Sequence, residues 1–173
     1  MIIIYHNDNK VTSVWHKQDK RFLSFKRASV AQVLFDTAAS YPSSVIIWCH
    51  DSQKENLDLS NIVEIFHHKK IIASYRPGVS NYLPDAIGYV ESSPFIKINK
   101  RVQFPTWQMS STVGGVHANL LNMLSKEIVH DTDFDFFLNS FAKLAMPLGV
   151  LCYSEPRLLL TGPDVVSKSQ SVN

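Results

Sequence analysis

Three polar residues, Cys49, His50 and Asp51, directly follow an unbroken apolar run from Val45 to Trp48. So short a run, rich in β-branched residues, predicts a strand buried on both faces of a parallel or mixed sheet. In open α/β sheets, ligands bind outside the carboxyl ends of the strands, and an aspartate there can contact a base or ribose or hold a divalent cation. The sequence therefore predicts a nucleotide or sugar-nucleotide site near Asp51. The alternative is an aspartate that only caps the next turn.

A second group of carboxylates, Asp131, Asp133 and Asp135, stands at the start of a strongly patterned helix. Acidic residues in this position stabilise a helix by capping it and by complementing its dipole, and this is one interpretation. The other is that one of them projects into the site as a general base or as an acceptor-binding carboxylate.

Trp107 stands in a stretch, Pro105 to Gly115, that is poor in regular pattern and rich in Thr, Ser, Trp and Gly. This composition is typical of a binding loop. The indole would offer a flat apolar face for a sugar or a base, with the hydroxyl groups of Ser110 and Ser111 behind it. The alternative is a tryptophan partly buried in the core.

Several kinds of site are missing from the sequence. It contains no Gly-x-Ser-x-Gly elbow, no phosphate-binding Gly-rich loop with Lys and no Gly-x-Gly-x-x-Gly, and no two histidines have the i, i+4 spacing of a helical metal pair. We therefore predict no metal site built by the histidines. Cys49 and Cys152 are expected to be buried thiols. A formal net charge of +2 argues against a nucleic-acid partner. No apolar run has the length of a membrane span, so we expect no transmembrane segment and a cytoplasmic location.

The predicted elements alternate as in an α/β protein. Strands are expected over Met1 to Tyr5, Val45 to Trp48, Ile71 to Ser74, Phe95 to Ile98 and Val150 to Tyr153. Helices are expected over Ser29 to Ser40, Asn61 to His68, Val116 to Leu124 and Phe134 to Ala145. Val11 to Arg27 is expected to be loop with one short strand at most. We expect one domain over residues 1–160 and a flexible polar tail over residues 161–173.

The order of these parts resembles that of family 2 glycosyltransferases of the GT-A type. Tyr5-His6-Asn7 is similar to the turn after the first strand of that family, and Asp51 to the acidic residue that contacts the nucleotide base. Val113-Gly114-Gly115 resembles the segment before the acceptor helix. Phe134-Asp135, followed by a helix and Gly149, resembles the acidic pair that supplies the catalytic base.

The resemblance implies a nucleotide-diphospho-sugar-transferase fold, with three α/β/α layers around a mixed, mostly parallel sheet. It implies a nucleotide sugar and a glycan acceptor as partners, with Mn²⁺ or Mg²⁺ as cofactor if the domain is catalytic. The nucleotide would contact His6, Asn7 and Asp51, and Asp135 would be the catalytic base. The sugar or the acceptor would contact Trp107, Ser110, Ser111, Gly114 and Gly115.

The sequence departs from the family in two places. No Asp-x-Asp stands where the family binds the metal, because Asp131-Thr132-Asp133 lies at the wrong end of the chain. Phe134 also replaces the first acid of the acidic pair. The chain is shorter than a full catalytic unit, which suggests an N-terminal domain of a longer transferase or a degenerate copy. A non-catalytic domain that recognises the acceptor, or docks a catalytic domain of the same full-length protein, is therefore the second hypothesis. The third is an α/β binding protein whose resemblance is accidental.

Overall fold

The computed structural model describes residues 1–26, 28–77, 101–128 and 133–160. In these ranges the strands are β1 (Ile2–Asn7), β2 (Lys10–His16), β3 (Arg21–Phe22), β4 (Val45–His50), β5 (Ile71–Tyr75), β6 (Phe104–Pro105), β7 (Val113–His117) and β8 (Leu151–Ser154). The α-helices are α1 (Val30–Ser40), α2 (Asn61–Ile65), α3 (Ala118–Leu124) and α4 (Phe134–Ala145). Short 3₁₀ helices follow β4 (Asp51–Asn56), α4 (Met146–Leu148) and β8 (Pro156–Leu158).

The strands form one sheet in the order β3-β2-β1-β4-β7-β5-β8-β6. β1 is parallel to β4, β5 is parallel to β8, and β7 lies antiparallel between β4 and β5. Consequently β1, β4, β5 and β8 all run in the same direction. We call the side of the sheet where these four strands end the carboxyl edge, and the side where they begin the amino edge.

The prediction of an α/β chain with a mixed sheet is confirmed, but the expectation of a mostly parallel sheet is wrong. Only two of the seven neighbouring strand pairs are parallel. Asp8 and Asn9 return the chain directly from β1 into β2, and so short a link joins antiparallel strands only. Asp8 has a φ of 50°, a left-handed conformation that aspartate tolerates better than most residues. The stretch after Lys10, predicted as loop with one short strand at most, contains two strands, β2 and β3.

Helices cover both faces of the sheet. α1, α3 and α4 pack on one face, against alternate residues of the central strands such as Ile2, Ile4, Ile46 and Trp48. α2 and the neighbouring short helices pack on the other face, against Ile3 and Ile47 among others. Since successive residues of a strand point to opposite faces, β1 and β4 are buried on both sides. This explains why their sequences are unbroken apolar runs.

Two helices begin where the sequence predicts because their caps are local. The Ser29 hydroxyl accepts a hydrogen bond from the Gln32 amide at 3.3 Å, and a carboxylate oxygen of Asp133 accepts one from the Phe136 amide at 3.1 Å. α3 begins two residues later than predicted, at Ala118, because the chain is still extended in β7.

The predicted binding loop, Pro105 to Gly115, is shorter in the structure, because Gly114 and Gly115 lie inside β7. The strand predicted over residues 95–98, the tail over residues 161–173 and Asp131 lie outside the described residues. Among the described helices, none has both the length and the apolar character needed to cross a membrane.

Candidate functional site

The ends of β1 and β4 bring the predicted nucleotide-binding residues together at the carboxyl edge. His6 and His50 are partners in the parallel pairing of the two strands, and their rings meet edge to face with centroids 5.5 Å apart. Asn7 is the exposed last residue of β1, and Asp51 is exposed directly after β4. His6, Asn7 and Asp51 thus lie at the ends of two adjacent strands, beside His50.

Asp51 does not cap the short helix that follows β4, which was the alternative to a binding role. His50 is the capping residue, because its Nδ1 accepts a hydrogen bond from the Ser52 amide at 3.2 Å. Asp51 instead accepts a hydrogen bond from the Thr12 hydroxyl of β2 at 2.9 Å. With Nδ1 occupied as an acceptor, the neutral ring of His50 carries its proton on Nε2. The carboxylate of Asp51 and the imidazole of His50 thus belong to consecutive residues at the carboxyl edge.

His6 is completely buried and ties β1 to the segment before β7. Its Nδ1 lies 2.9 Å from the carbonyl oxygen of Asp8, and its Nε2 lies 2.9 Å from that of Ser111. Burial lowers the pKa of His6, although the two carbonyl contacts act in the opposite direction. A neutral imidazole has one N–H, so it can donate to only one of the two carbonyl oxygens. His6 is thus a structural link under the site rather than an exposed ligand contact.

The segment from Thr106 to Thr112, which we call the 106–112 loop, is held by side chains from several elements. Trp48 Nε1 donates to the Ser110 carbonyl oxygen at 2.9 Å, and the Ser110 amide donates to the Ser74 hydroxyl at 2.9 Å. Asn139 binds both backbone groups of Met109, accepting from its amide at 2.9 Å and donating to its carbonyl at 3.2 Å. These bonds fix the backbone before any ligand arrives, which lowers the entropic cost of binding.

Asp135 also holds the 106–112 loop. Its Oδ1 accepts a hydrogen bond from the Ser111 amide at 2.7 Å, and its own carbonyl accepts one from Asn139 at 2.7 Å. The carboxylate is half-buried in the first turn of α4, and its Oδ2 makes no hydrogen bond to any described residue. Asp135 therefore has a structural role on one oxygen, while the other oxygen remains available as an acceptor.

Trp107 lies away from this group, towards the end of α4. The Lys143 ammonium stands 5.3 Å from the centre of the indole ring, and the two residues line an apolar hollow of about 470 Å³ with Met146 and Pro147. Asp135 and Lys143 are eight residues apart on α4, which corresponds to about 12 Å along its axis. The predicted sugar platform and the predicted base thus lie at different ends of one helix.

Three other predicted contact residues are covered by the protein. Ser110 is 1% exposed, and its hydroxyl accepts a hydrogen bond from the Thr112 amide at 3.1 Å. Gly114 and Gly115 are buried in β7, where a Cβ on Gly114 would overlap the Trp48 indole and one on Gly115 would overlap Ile47. Both glycines therefore allow close packing of the sheet. Ser111 is the member of the predicted sugar group that stays half-exposed beside Asp135.

The sequence interpretation missed His50, Thr12 and Asn139 as members of this site. Asn139 could have been identified from the sequence, because a side-chain amide on the apolar face of a helix, one turn after Asp135, needs a hydrogen-bond partner in the core. Within the described ranges, no group of three or more His, Cys, Asp or Glu side chains is arranged to hold a metal ion. A second concavity, of about 770 Å³, lies between α1 and residues 21–26 and shares none of the predicted residues.

Comparison with known proteins gives no match to this chain among protein-family models, curated proteins or solved structures.

Proposed function

We propose that this chain is a glycosyltransferase-like domain that binds the nucleotide part of a nucleotide sugar at the carboxyl edge, across the ends of β1 and β4. The observation that carries the proposal is that His50 and Asp51, at the end of β4, lie next to His6 and Asn7 at the end of the parallel strand β1, with the Asp51 carboxylate exposed. This is the position where open α/β sheets bind ligands. The carboxylate can accept from ribose hydroxyls or base N–H groups, and the His50 N–H can donate to a base carbonyl or a phosphate.

Transfer of the sugar requires a base that removes the proton from the acceptor hydroxyl. Asp135 is our candidate, because its Oδ1 is held by the Ser111 amide and its Oδ2 is left to face an acceptor. The bond to Ser111 also orients the carboxylate, which a positioned base requires. In this proposal the hydroxyl oxygen attacks the anomeric carbon, the nucleoside diphosphate leaves, and Asp135 takes the proton.

The second candidate is a non-catalytic domain of the same fold, which recognises a glycan acceptor or docks a catalytic domain. The bond between Asp135 and Ser111 favours it, because that bond gives Asp135 a structural role that needs no substrate. Under this alternative the fixed 106–112 loop is a recognition surface, and the chemistry belongs to another part of the protein.

A thermal-shift titration tests both candidates. Nucleoside diphosphates, sugar nucleotides and free glycans are added separately, with and without Mn²⁺. A ligand at about a hundred times its Kd should raise the Tm by roughly 5–10 °C. Asp51→Asn should remove the nucleotide response, whereas the control Asp19→Asn, at the amino edge, should keep it. A response to glycans alone supports the second candidate, and no response to any of these ligands contradicts both.

Turnover separates the two candidates once binding is established. Release of nucleoside diphosphate in the presence of an acceptor, abolished by Asp135→Asn with nucleotide binding retained, supports transfer. Binding without release, unchanged by Asp135→Asn, supports the recognition domain.

A further inference from the structure

The amino edge of the sheet, opposite the proposed site, combines two segments that are distant in sequence. The turn after α2, residues 67–70, meets the turn after α4, residues 146–149. The Lys70 ammonium donates to the Leu148 carbonyl oxygen at 2.9 Å, and the Leu151 amide donates to the Lys70 carbonyl oxygen at 2.9 Å. These bonds place the side chains of both turns on one surface. We call it the amino-edge patch; its members are His67, His68, Lys69, Lys70, Met146, Leu148 and Leu151.

The amino-edge patch is positive. Neither residues 65–77 nor residues 136–154, which supply it, include an Asp or a Glu. Glu64 precedes the first segment, but its carboxylate is paired with Arg157 at 2.9 Å. His117 neighbours this surface: burial lowers the pKa of its ring, the contact of Nε2 with the Phe66 carbonyl oxygen at 2.8 Å raises it, and nearby Lys69 and His68 lower it.

The same surface exposes large apolar side chains between the basic ones. Met146 is 46% exposed, Leu148 is 43% exposed and Leu151 is 52% exposed. Single exposed apolar residues are common, but a group of them on one surface marks a place of contact. Here the apolar group lies next to Lys69 and Lys70. Neither of the two segments supplies a carboxylate that would offset these positive charges.

We propose that the amino-edge patch docks on an anionic lipid bilayer, with its lysines at the headgroups and Met146, Leu148 and Leu151 inserted at the interface. Peripheral membrane proteins combine the same two contributions, apolar insertion and attraction of Lys to anionic lipids. A nucleic acid would use the positive charge but leave the aliphatic side chains unused, since bases stack on aromatic rings. The only rings among the patch members are imidazoles, and Trp107, which lines a hollow with Met146, has the Lys143 ammonium over its ring. In this orientation the carboxyl edge, on the far side of the sheet, faces away from the membrane.

Sedimentation with vesicles tests the proposal independently of any nucleotide ligand. One set contains phosphatidylcholine alone and the other roughly 30% phosphatidylserine, an anionic surface of the kind that attracts Lys and Arg. The protein should bind the anionic vesicles and lose that binding between about 0.1 and about 0.5 M NaCl. Lys69→Gln should weaken binding about fivefold, and Lys69→Gln with Leu148→Ser at least about tenfold. Lys10→Gln with Phe136→Ser is the matched control, because it removes one cation and one exposed apolar side chain at the carboxyl edge.

Three results would overturn the proposal. They are equal or absent binding to the two vesicle types, an equal loss in the control variant, and binding of a single-stranded RNA by the patch residues without vesicle binding. Circular dichroism checks that each variant is folded. We expect all of them to fold, because the four mutated side chains are exposed. The two patch variants change only residues at the amino edge, so a nucleotide response in thermal shift should be unaffected by them, and failure here leaves the proposed function standing.

Discussion

His6 and Asp135 hold the two backbone groups of one residue, Ser111. The Nε2 of His6 lies 2.9 Å from the Ser111 carbonyl oxygen, and Oδ1 of Asp135 accepts from the Ser111 amide at 2.7 Å. The end of β1 and the start of α4 are thereby joined through the 106–112 loop. A ligand that contacts both Asp51 and Asp135 would span this connection through Ser111. A rigid connection therefore keeps the two carboxylates in place before the ligand binds.

The first prediction concerns the Asp135 contribution to stability. Asp135→Ala leaves the Ser111 amide without its acceptor, so the free energy of unfolding should fall by about 2 kcal/mol. Asp135→Asn keeps a side-chain oxygen within reach, and the loss should be about 1 kcal/mol or less. Urea unfolding measures both values. Asp36→Ala, on the exposed face of α1, is the control and should cost less than about 0.5 kcal/mol; equal losses for all three variants would show that the bond to Ser111 is unimportant.

The second prediction concerns pH. Burial lowers the pKa of His6 below its ordinary value of 6.5. Below about pH 6.5 the unfolded chain therefore binds a proton that the folded chain does not, so stability should fall as the pH drops from 7.5 to 5.5. Denaturant unfolding across this window measures the slope. His6→Gln should reduce the slope, whereas a slope that is the same in His6→Gln and the native protein would contradict the role given to burial.

The third prediction concerns the packing of β7. A Cβ on Gly114 would lie 2.7 Å from the carbonyl oxygen of Ala73 and would overlap the buried Trp48 ring, neither of which can move freely. Gly114→Ala should therefore cost about 3 kcal/mol of unfolding free energy. Gly149 has a φ of 77° but open space around it, with Lys70 Nζ at 3.8 Å, so Gly149→Ala should cost only about 1 kcal/mol. The reverse order of the two losses would contradict the close packing of β7 on Trp48.

The fourth prediction compares two ion pairs. Glu155 is completely buried and bound by both Arg157 Nε, at 3.1 Å, and Nη2, at 2.9 Å. Arg157→Met would leave a buried charge without its partner and should cost about 3 kcal/mol, measured by urea unfolding. Arg21→Met breaks the exposed pair with Asp19 and should cost less than about 1 kcal/mol. Glu155→Gln added to Arg157→Met should recover part of the loss, and no recovery would show that the buried charge is not the cause.

The sequence predicts those elements whose determinants are local. Ser29 caps α1, Asp133 caps α4, and Val45 to Trp48 form a strand buried on both faces, as their types and spacing require. β2 is predictable only as one short strand within a loop, because lysine and histidine mask its alternation. β7 contains two glycines, and its strand conformation depends on the Trp48 and Phe66 rings that cover them.

The candidate site is predictable only in part for the same reason. His6 and Asp51 stand at the ends of the apolar runs of β1 and β4, so their placement at one edge follows from the parallel pairing of the two strands. The bond between Asp135 and Ser111 joins residues 24 positions apart, and that between His6 and Ser111 joins residues 105 apart. Local pattern has no information on such contacts. Trp107, although only four residues from Ser111, lies beside Lys143 towards the far end of α4.

Binding of a nucleotide sugar at Asp51 is the central claim, and calorimetric titration of the native protein, Asp51→Asn and Asp19→Asn tests it most directly. Sugar nucleotides with different bases and sugars are titrated into each protein, with and without Mn²⁺. We predict saturable binding to the native protein and to Asp19→Asn, weakened at least about tenfold in Asp51→Asn because the ligand loses a charged hydrogen-bond acceptor. Equal affinity of Asp51→Asn and the native protein, or no binding of any nucleotide, would contradict the claim.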